Sequence, residues 1–147
     1  MLGVNKDTTY AFAITVNDKA IGSIGVFRKD NIHVQTAEMG YYIDESYWGQ
    51  GLGTSAIKQV CCHIFDNTDI IRIFAEPFVN NIASCRALEK AGFVCEGILK
   101  KNAVKNGKVI DMKMYALVKE SDLIILQDME GTRGQVQRPY ESTLLVE

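Results

Sequence analysis

The sequence predicts a mixed α/β domain, with two helices set into a sheet that is antiparallel at its edges. Three features of the chain carry that prediction. Apolar residues alternate with period two over Thr9–Val16, and again at residues 20–28 and 36–43. A turn with glycine at alternate positions, Gly49, Gly51 and Gly53, joins the third of these runs to a run of helical period. Near the other end, Asn106-Gly107 lies between two long strand-like runs, the strongest short-range hairpin signal in the chain.

Taken in order, Tyr10, Phe12, Ile14 and Val16 share one face of the first strand, and residues 17–19 turn it back. The second strand carries Ile21, Ile24 and Val26. Gly22 and Gly25 interrupt it, which implies a bulge or the close approach of another backbone. Residues 29–35 are a polar connection, and the third strand ends at Ile43. A helix opens at Gly51 or Gly53 and runs to about Phe65, with Ile57, Val60, Cys61 and Ile64 facing a core. Residues 70–75 are apolar except for Arg72, as for a central strand covered on both faces. Pro77 stops that strand. A short second helix spans about 82–91, with Asn80 or Asn81 as N-cap and Gly92 just past its end; Ala83, Ala87, Leu88 and Ala91 give it a small-residue face. Residues 93–104 and 109–118 form the hairpin around the Asn-Gly turn. The order is β-β-β-α-β-α-β-β. Residues 120–129 read as a last helix or strand, and residues 131–147 lack any period. The expected organisation is one domain over 1–130 and a tail over 131–147, ordered where it meets a partner surface.

Composition narrows the function. The chain has 147 residues, 47% hydrophobic and 23% charged, and a net charge of -2. That balance gives no electrostatic footprint for nucleic acid or a membrane surface. No apolar run approaches the ~20 residues that span a bilayer, and the first residues are unlike a secretory signal. The four cysteines, Cys61, Cys62, Cys85 and Cys95, form no Cys-x-x-Cys pair, and His33 and His63 are not spaced to join them around zinc, so no metal is expected. They fall in apolar patterns and read as buried thiols in a reducing compartment, the cytoplasm. His63 would point to a different helix face from Cys62, which argues against a thiol nucleophile.

The glycine turn is the feature with chemistry. Glycine lets backbone approach an anion closely, and the first N–H groups of the following helix are unpaired and sit at its positive end. Such a turn suits a phosphate; it also suits a plain strand-to-helix connection.

Four blocks together are more specific. Glu38-Met39-Gly40-Tyr41-Tyr42-Ile43, then Tyr47-Trp48-Gly49-Gln50-Gly51-Leu52-Gly53-Thr54, then Asn81-x-x-Ser84, then Leu88-Glu89-Lys90-Ala91-Gly92-Phe93, resemble the GNAT superfamily of N-acetyltransferases. Within it they resemble the ribosomal-protein N-terminal acetyltransferases and their small-molecule relatives. The likeness covers roughly residues 9–118. It implies the acyl-CoA N-acyltransferase fold, and transfer of an acetyl group from acetyl-CoA, as co-substrate, to a primary amine by direct attack in a ternary complex. It implies that Gln50, Gly51, Leu52, Gly53 and Thr54 hold the CoA pyrophosphate by backbone N–H groups. Tyr42 and Ile43 would hold the pantetheine arm, and a backbone N–H there would polarise the thioester carbonyl. Asn81 would bind the CoA arm by its side chain.

An amine must shed a proton to attack, and Glu38 is the first choice to take it, with Glu76 second. Glu38 suits a surface or salt-bridged carboxylate equally well, and Glu76 suits a polar loop residue before Pro77 better than a base. Many members donate a proton to the leaving thiolate from a tyrosine where this chain has Leu88; Ser84 is the substitute, if it is not simply a helix-start hydrogen-bonding residue. Asn81 also suits an N-cap. Tyr41, Tyr42 and Trp48 read as packing residues. Asp111, mid-strand where an apolar residue is expected, either contacts the acceptor or faces solvent. Trp48 stands where the family's phosphate loop commonly begins with Arg or Gln, which leaves more of the anion binding to backbone.

The family's opening strand and helices have no counterpart before residue 9, so the fold is expected to lack them, in a fragment or a short natural form. The sheet edge this exposes would favour a homodimer or pairing with the tail. The acceptor is a small-molecule amine, such as an amino sugar, polyamine or antibiotic, or a protein N-terminal amine. The competing reading is a non-catalytic CoA-binding or interaction domain.

Overall fold

The computed structural model describes residues 8–120 and 143–145. The strands are β1 (Thr9–Val16), β2 (Lys19–Arg28), β3 (Thr36–Ile43), β4 (Arg72–Ala75), β5 (Val94–Lys105), β6 (Lys108–Val118) and β7 (Thr143–Leu145). Helices α1 (Leu52–Asn67) and α2 (Ile82–Lys90) flank β4 in sequence. The sheet runs β5-β6-β4-β3-β2-β1-β7, parallel between β3 and β4 and between β1 and β7, antiparallel elsewhere.

Turn chemistry sets both hairpins. Asn17 and Asp18 hold φ of 52° and 66°, and Asn106 and Gly107 hold 53° and 77°; two successive residues at positive φ match the right-handed twist of the strands they join. The predicted interruption of β2 is a close approach. A side chain at Gly22 would collide with the Tyr42 carbonyl oxygen on β3, and the β1–β2 register shifts at Ile14/Thr15 beside it.

Cross-strand register puts Phe12, Ile24 and Tyr41 side by side on one face. The Phe12 ring meets His63 of α1 edge-on at 5.6 Å, and the Tyr41 hydroxyl bonds to Ser84 of α2. Both helices therefore lie on that face. The core forms between them and the sheet, where Ile14, Ile24, Ile57, Val60, Ile64, Ile73, Leu88 and Tyr115 are fully buried. Of the cysteines, Cys61 and Cys85 join this core, whereas Cys95, expected to be buried, is exposed on the edge strand β5.

The other face differs from expectation. Only Ile73 and Ala75 of β4 are buried; Arg72 and Phe74 are partly exposed, because no element among the described residues covers their side. Local pairs occupy it instead. Lys29 reaches Glu38 at 3.3 Å and lies 5.7 Å above the Phe74 ring. Arg72 spans β6 to grip both carboxylate oxygens of Glu96, at 2.7 and 2.9 Å. At the far edge β7 pairs with Ala13–Thr15 of β1, so the described part of the tail adds a strand there. The element expected at 120–129 and the rest of 131–147 lie outside the described residues.

Arg72 holds the Glu96 carboxyl below the ordinary range, through its hydrogen bond first and its charge second. A depressed carboxylate pKa adds stability above the unfolded value of about 4.3, and that stability is lost as pH falls through the folded value. Glu96 is largely solvated, so the pair is worth no more than about 1 kcal/mol. Urea unfolding should show Glu96→Gln slightly less stable than the parent at neutral pH, with the gap closing below about pH 4.

Candidate functional site

The site begins where two strands part. Pairing of β3 with β4 covers Thr36↔Arg72, Ala37↔Ile73 and Glu38↔Phe74, while β3 runs on to Ile43. The Asp44 N–H bonds to the Ile21 carbonyl on β2 at 2.8 Å. Because backbone groups alternate sides along a strand, Tyr42 also turns its N–H and C=O toward β2, whereas Tyr41 and the Ile43 N–H turn theirs toward the gap. The gap is thus edged by strand backbone free to bond to an extended ligand.

Beyond Ile43 the chain is shaped locally. Asp44 accepts from the Ser46 N–H at 3.0 Å and the Ser46 hydroxyl at 2.9 Å, which fixes the turn Glu45–Tyr47 and holds the Asp44 carboxyl below its ordinary range. The Trp48 Nε1–H donates to the Ile43 carbonyl at 2.8 Å, closing the end of β3. Trp48 and Tyr42, read from sequence as packing residues, are 60% and 63% exposed. Both residues line the cleft, and neither is buried in the core.

Gly51 is the N-cap of α1 at φ 77°, with no side-chain cap. The first helical bond is Ser55 N–H to the Gly51 carbonyl, so the N–H groups of Leu52, Gly53 and Thr54 have no acceptor among the described residues. A Cβ on Gly53 would lie 3.3 Å from Ile43 Cδ1 and 4.0 Å from Ala87 Cβ; glycine lets the end of β3, the start of α1 and the side of α2 meet there.

These elements enclose a cleft of about 430 Å³ lined by Tyr41, Tyr42, Ile43, Gly51, Leu52, Gly53, Thr54, Asn81 and Ser84, among others. Gln50 sits beside it, exposed in the turn. Arg86 and Lys90 of α2 also line it. They were not singled out from sequence, although their spacing with Ala83 and Ala87 puts all four on one helix face. Asn81 caps α2 by accepting from the Ser84 N–H at 3.2 Å. Tyr41, read as packing, places its hydroxyl 2.6 Å from Ser84 Oγ.

The carboxylates lie elsewhere. Glu38 points to the face away from the helices, at the last paired position before the strands part, and is bound to Lys29. Glu76 follows β4 and accepts from Asn102 Nδ2 at 3.2 Å. Asp111 accepts from the Lys101 N–H at 2.8 Å, supporting a bulge in β5. Leu88 is fully buried.

A strand edge leading to unpaired N–H groups at a glycine-opened helix suits an extended ligand that ends in phosphate. The acetyltransferase (GNAT) domain pattern matches residues 2–94. The chain belongs to the GNAT acetyltransferase domain family. It is 36% identical over 121 residues to the probable N-acetyltransferase YjcK of Bacillus subtilis, covering 81% of this chain and 67% of that protein. It is 32% identical over 110 residues to the ribosomal-protein-serine acetyltransferase of Escherichia coli, covering 75% and 61%. Among solved structures, a RimL ribosomal-protein alpha-N-acetyltransferase in complex with coenzyme A superposes with a TM-score of 0.75 at 26% identity, covering 82% of this chain and 68% of that one. This GNAT chain therefore spans about two thirds of the length of these relatives. No helix among its described residues is long and apolar enough to cross a membrane.

The turn makes a separable demand on stability. A Cβ at Gly51 meets nothing within 4 Å, so Gly51→Ala adds only the strain of positive φ, about 1–2 kcal/mol. Thermal unfolding should show that modest loss with the fold retained.

Proposed function

We propose that this chain transfers an acetyl group from acetyl-CoA to a primary amine. The supporting observation is the continuity of one cleft, from the unpaired edge of β3 to the three free N–H groups at the start of α1. The residues present fit CoA. Leu52, Gly53 and Thr54, with Gln50 and Gly51 shaping the turn, hold its pyrophosphate by backbone N–H groups at the positive end of a sixteen-residue helix. Arg86 and Lys90 add positive charge on the facing helix. The Ile43 N–H and the backbone of Tyr41 hold the pantetheine arm along the gap, with Tyr42 and Asn81 bordering it. Acetyl-CoA supplies the activated acyl group.

The chain's own residues do the rest. Glu38, beside the point where β3 and β4 part and on the face opposite the helices, takes the amine proton, directly or through water; Glu76 is the alternate base. The Ser84 hydroxyl serves the leaving sulfur. Holding amine and thioester in line across the gap supplies much of the rate.

The setting favours an acceptor bearing carboxylates, such as an acidic protein N-terminus, over a polyamine. Lys113 N–H to Pro77 O and Val79 N–H to Asp111 O, at 2.9 and 3.1 Å, fasten the β5–β6 hairpin to the loop after β4. Lys100, Lys101, Lys105 and Lys108 stand exposed on that hairpin, and no ion pair among the described residues engages them. A polycation is repelled there and an acidic segment attracted.

Buried Leu88 supports the second reading, a domain that binds CoA without turnover, because it brings no hydroxyl to the cleft. Thiol release from acetyl-CoA, measured with acidic and neutral peptides bearing free N-termini and with spermidine, separates the two. Release with the acidic peptide foremost is expected; tight CoA binding with no release from any acceptor would establish the second reading.

Two variants test the residues. Gly51→Glu should abolish CoA binding by calorimetry while the protein stays folded, through bulk and like charge at the pyrophosphate. Glu38→Gln should lower kcat by about a hundredfold with acetyl-CoA affinity unchanged. A loss confined to acetyl-CoA affinity would move the base elsewhere.

A further inference from the structure

The contact between Tyr41 and Ser84 joins the sheet to the start of α2 at the cleft wall. The two hydroxyl oxygens are 2.6 Å apart, and the Tyr41 hydroxyl is a more distant 3.4 Å from the Ser84 carbonyl oxygen. A serine hydroxyl at a helix start commonly bonds to nearby backbone groups. Here the partner is a phenol on a neighbouring strand. Ser84 is otherwise fixed, since its N–H is bonded to Asn81 Oδ1.

Direction follows from acidity. The 2.6 Å contact admits either hydroxyl as donor; a phenol, with a pKa of about 10, is a better donor than an alkyl hydroxyl, which favours the arrangement in which the Tyr41 O–H donates and Ser84 Oγ accepts. The Ser84 hydrogen is then free. Tyr41 itself is partly buried, and burial raises its pKa, which keeps the phenol protonated as a donor at working pH.

We propose that Tyr41 is a positioning residue for this reaction: its hydroxyl holds Ser84 Oγ from behind, so that the Ser84 hydrogen points into the cleft at the CoA sulfur. This rests on the acetyl-transfer reading above. Neither hydroxyl gains or loses a proton. As the new carbon–nitrogen bond forms and the carbon–sulfur bond breaks, the sulfur takes the bonding electron pair, the amine proton goes to the carboxylate, and Ser84 donates a hydrogen bond to the sulfur. A serine already accepting a bond donates a stronger one, because bonds in a chain polarise one another.

The test needs no acceptor. The thiol of CoA bound to the full chain is titrated by the ultraviolet absorbance of its thiolate, as a difference against the same protein without CoA, which removes the chain's own cysteines. In the parent, the bound thiol should titrate below that of free CoA. Ser84→Ala and Tyr41→Phe should each raise it, by about one pH unit for the serine and less for the tyrosine. The double variant should match Ser84→Ala alone. Tyr41→Phe keeps the ring and its packing, and an unchanged CoA affinity verifies that the cleft persists.

A bound thiol whose pKa is untouched by Tyr41→Phe overturns the proposal. So does a double variant that shows the sum of the two single effects, since Tyr41 would then act independently of Ser84. If the parent does not bind CoA at all, the acetyl-transfer reading falls, a result distinct from either of these.

Discussion

Everything in this domain depends on the interruption of one parallel pairing. Strand backbone in a sheet interior is ordinarily bonded on both sides, because unpaired polar groups are costly away from water. Here β3 has β4 beside it for three residue pairs and then continues without it. The strand keeps its shape because β2 supports its other edge through Gly22–Ile43. Gly22 matters for that reason: only a residue without a side chain lets the Tyr42 carbonyl come so close. The open edge supplies directed hydrogen-bonding groups without a charged side chain, and α1 and α2 wall the space it faces.

The same economy of charge marks the glycine turn. Trp48, in the turn before α1, brings no charge to the cleft it lines. Its indole N–H is spent on the last carbonyl of β3. The residue therefore fixes where the strand stops and where the turn begins. Positive charge reaches the cleft from Arg86 and Lys90 on the other wall.

The architecture was legible in the sequence because its signals are local. Alternation gave β1 to β3, the Asn-Gly pair gave the β5–β6 hairpin, and the glycine stretch with helical spacing gave α1 and its start. What escaped was whatever depends on contacts distant in sequence. The apolar run at residues 70–75 looked doubly buried because Ile and Phe dominate it, and nothing local says that Phe74 lies beneath Lys29 or that Arg72 reaches Glu96. Cys95 looked buried for the same reason, although it lies on an edge strand. Tyr41 looked like packing because the helix that meets it comes more than forty residues later. At the site, the backbone elements could be assigned from glycine and helix-start chemistry, whereas the partners of Glu38, Glu76 and Ser84 are properties of the assembled fold.

The short parallel pairing also bears on the order in which the domain forms and opens. The β1–β2 and β5–β6 hairpins join neighbours in sequence and close small loops. Uniting β3 with β4 requires the whole of α1 to fold back as a crossover between them. The unit that creates the cleft is thus far less local than either hairpin and is held by few ladder bonds. Hydrogen exchange at 36–38 and 72–74 would then report a sub-global opening that separates two halves of the sheet. A ligand bridging α1 and α2 across that seam would suppress this opening and tie the halves together.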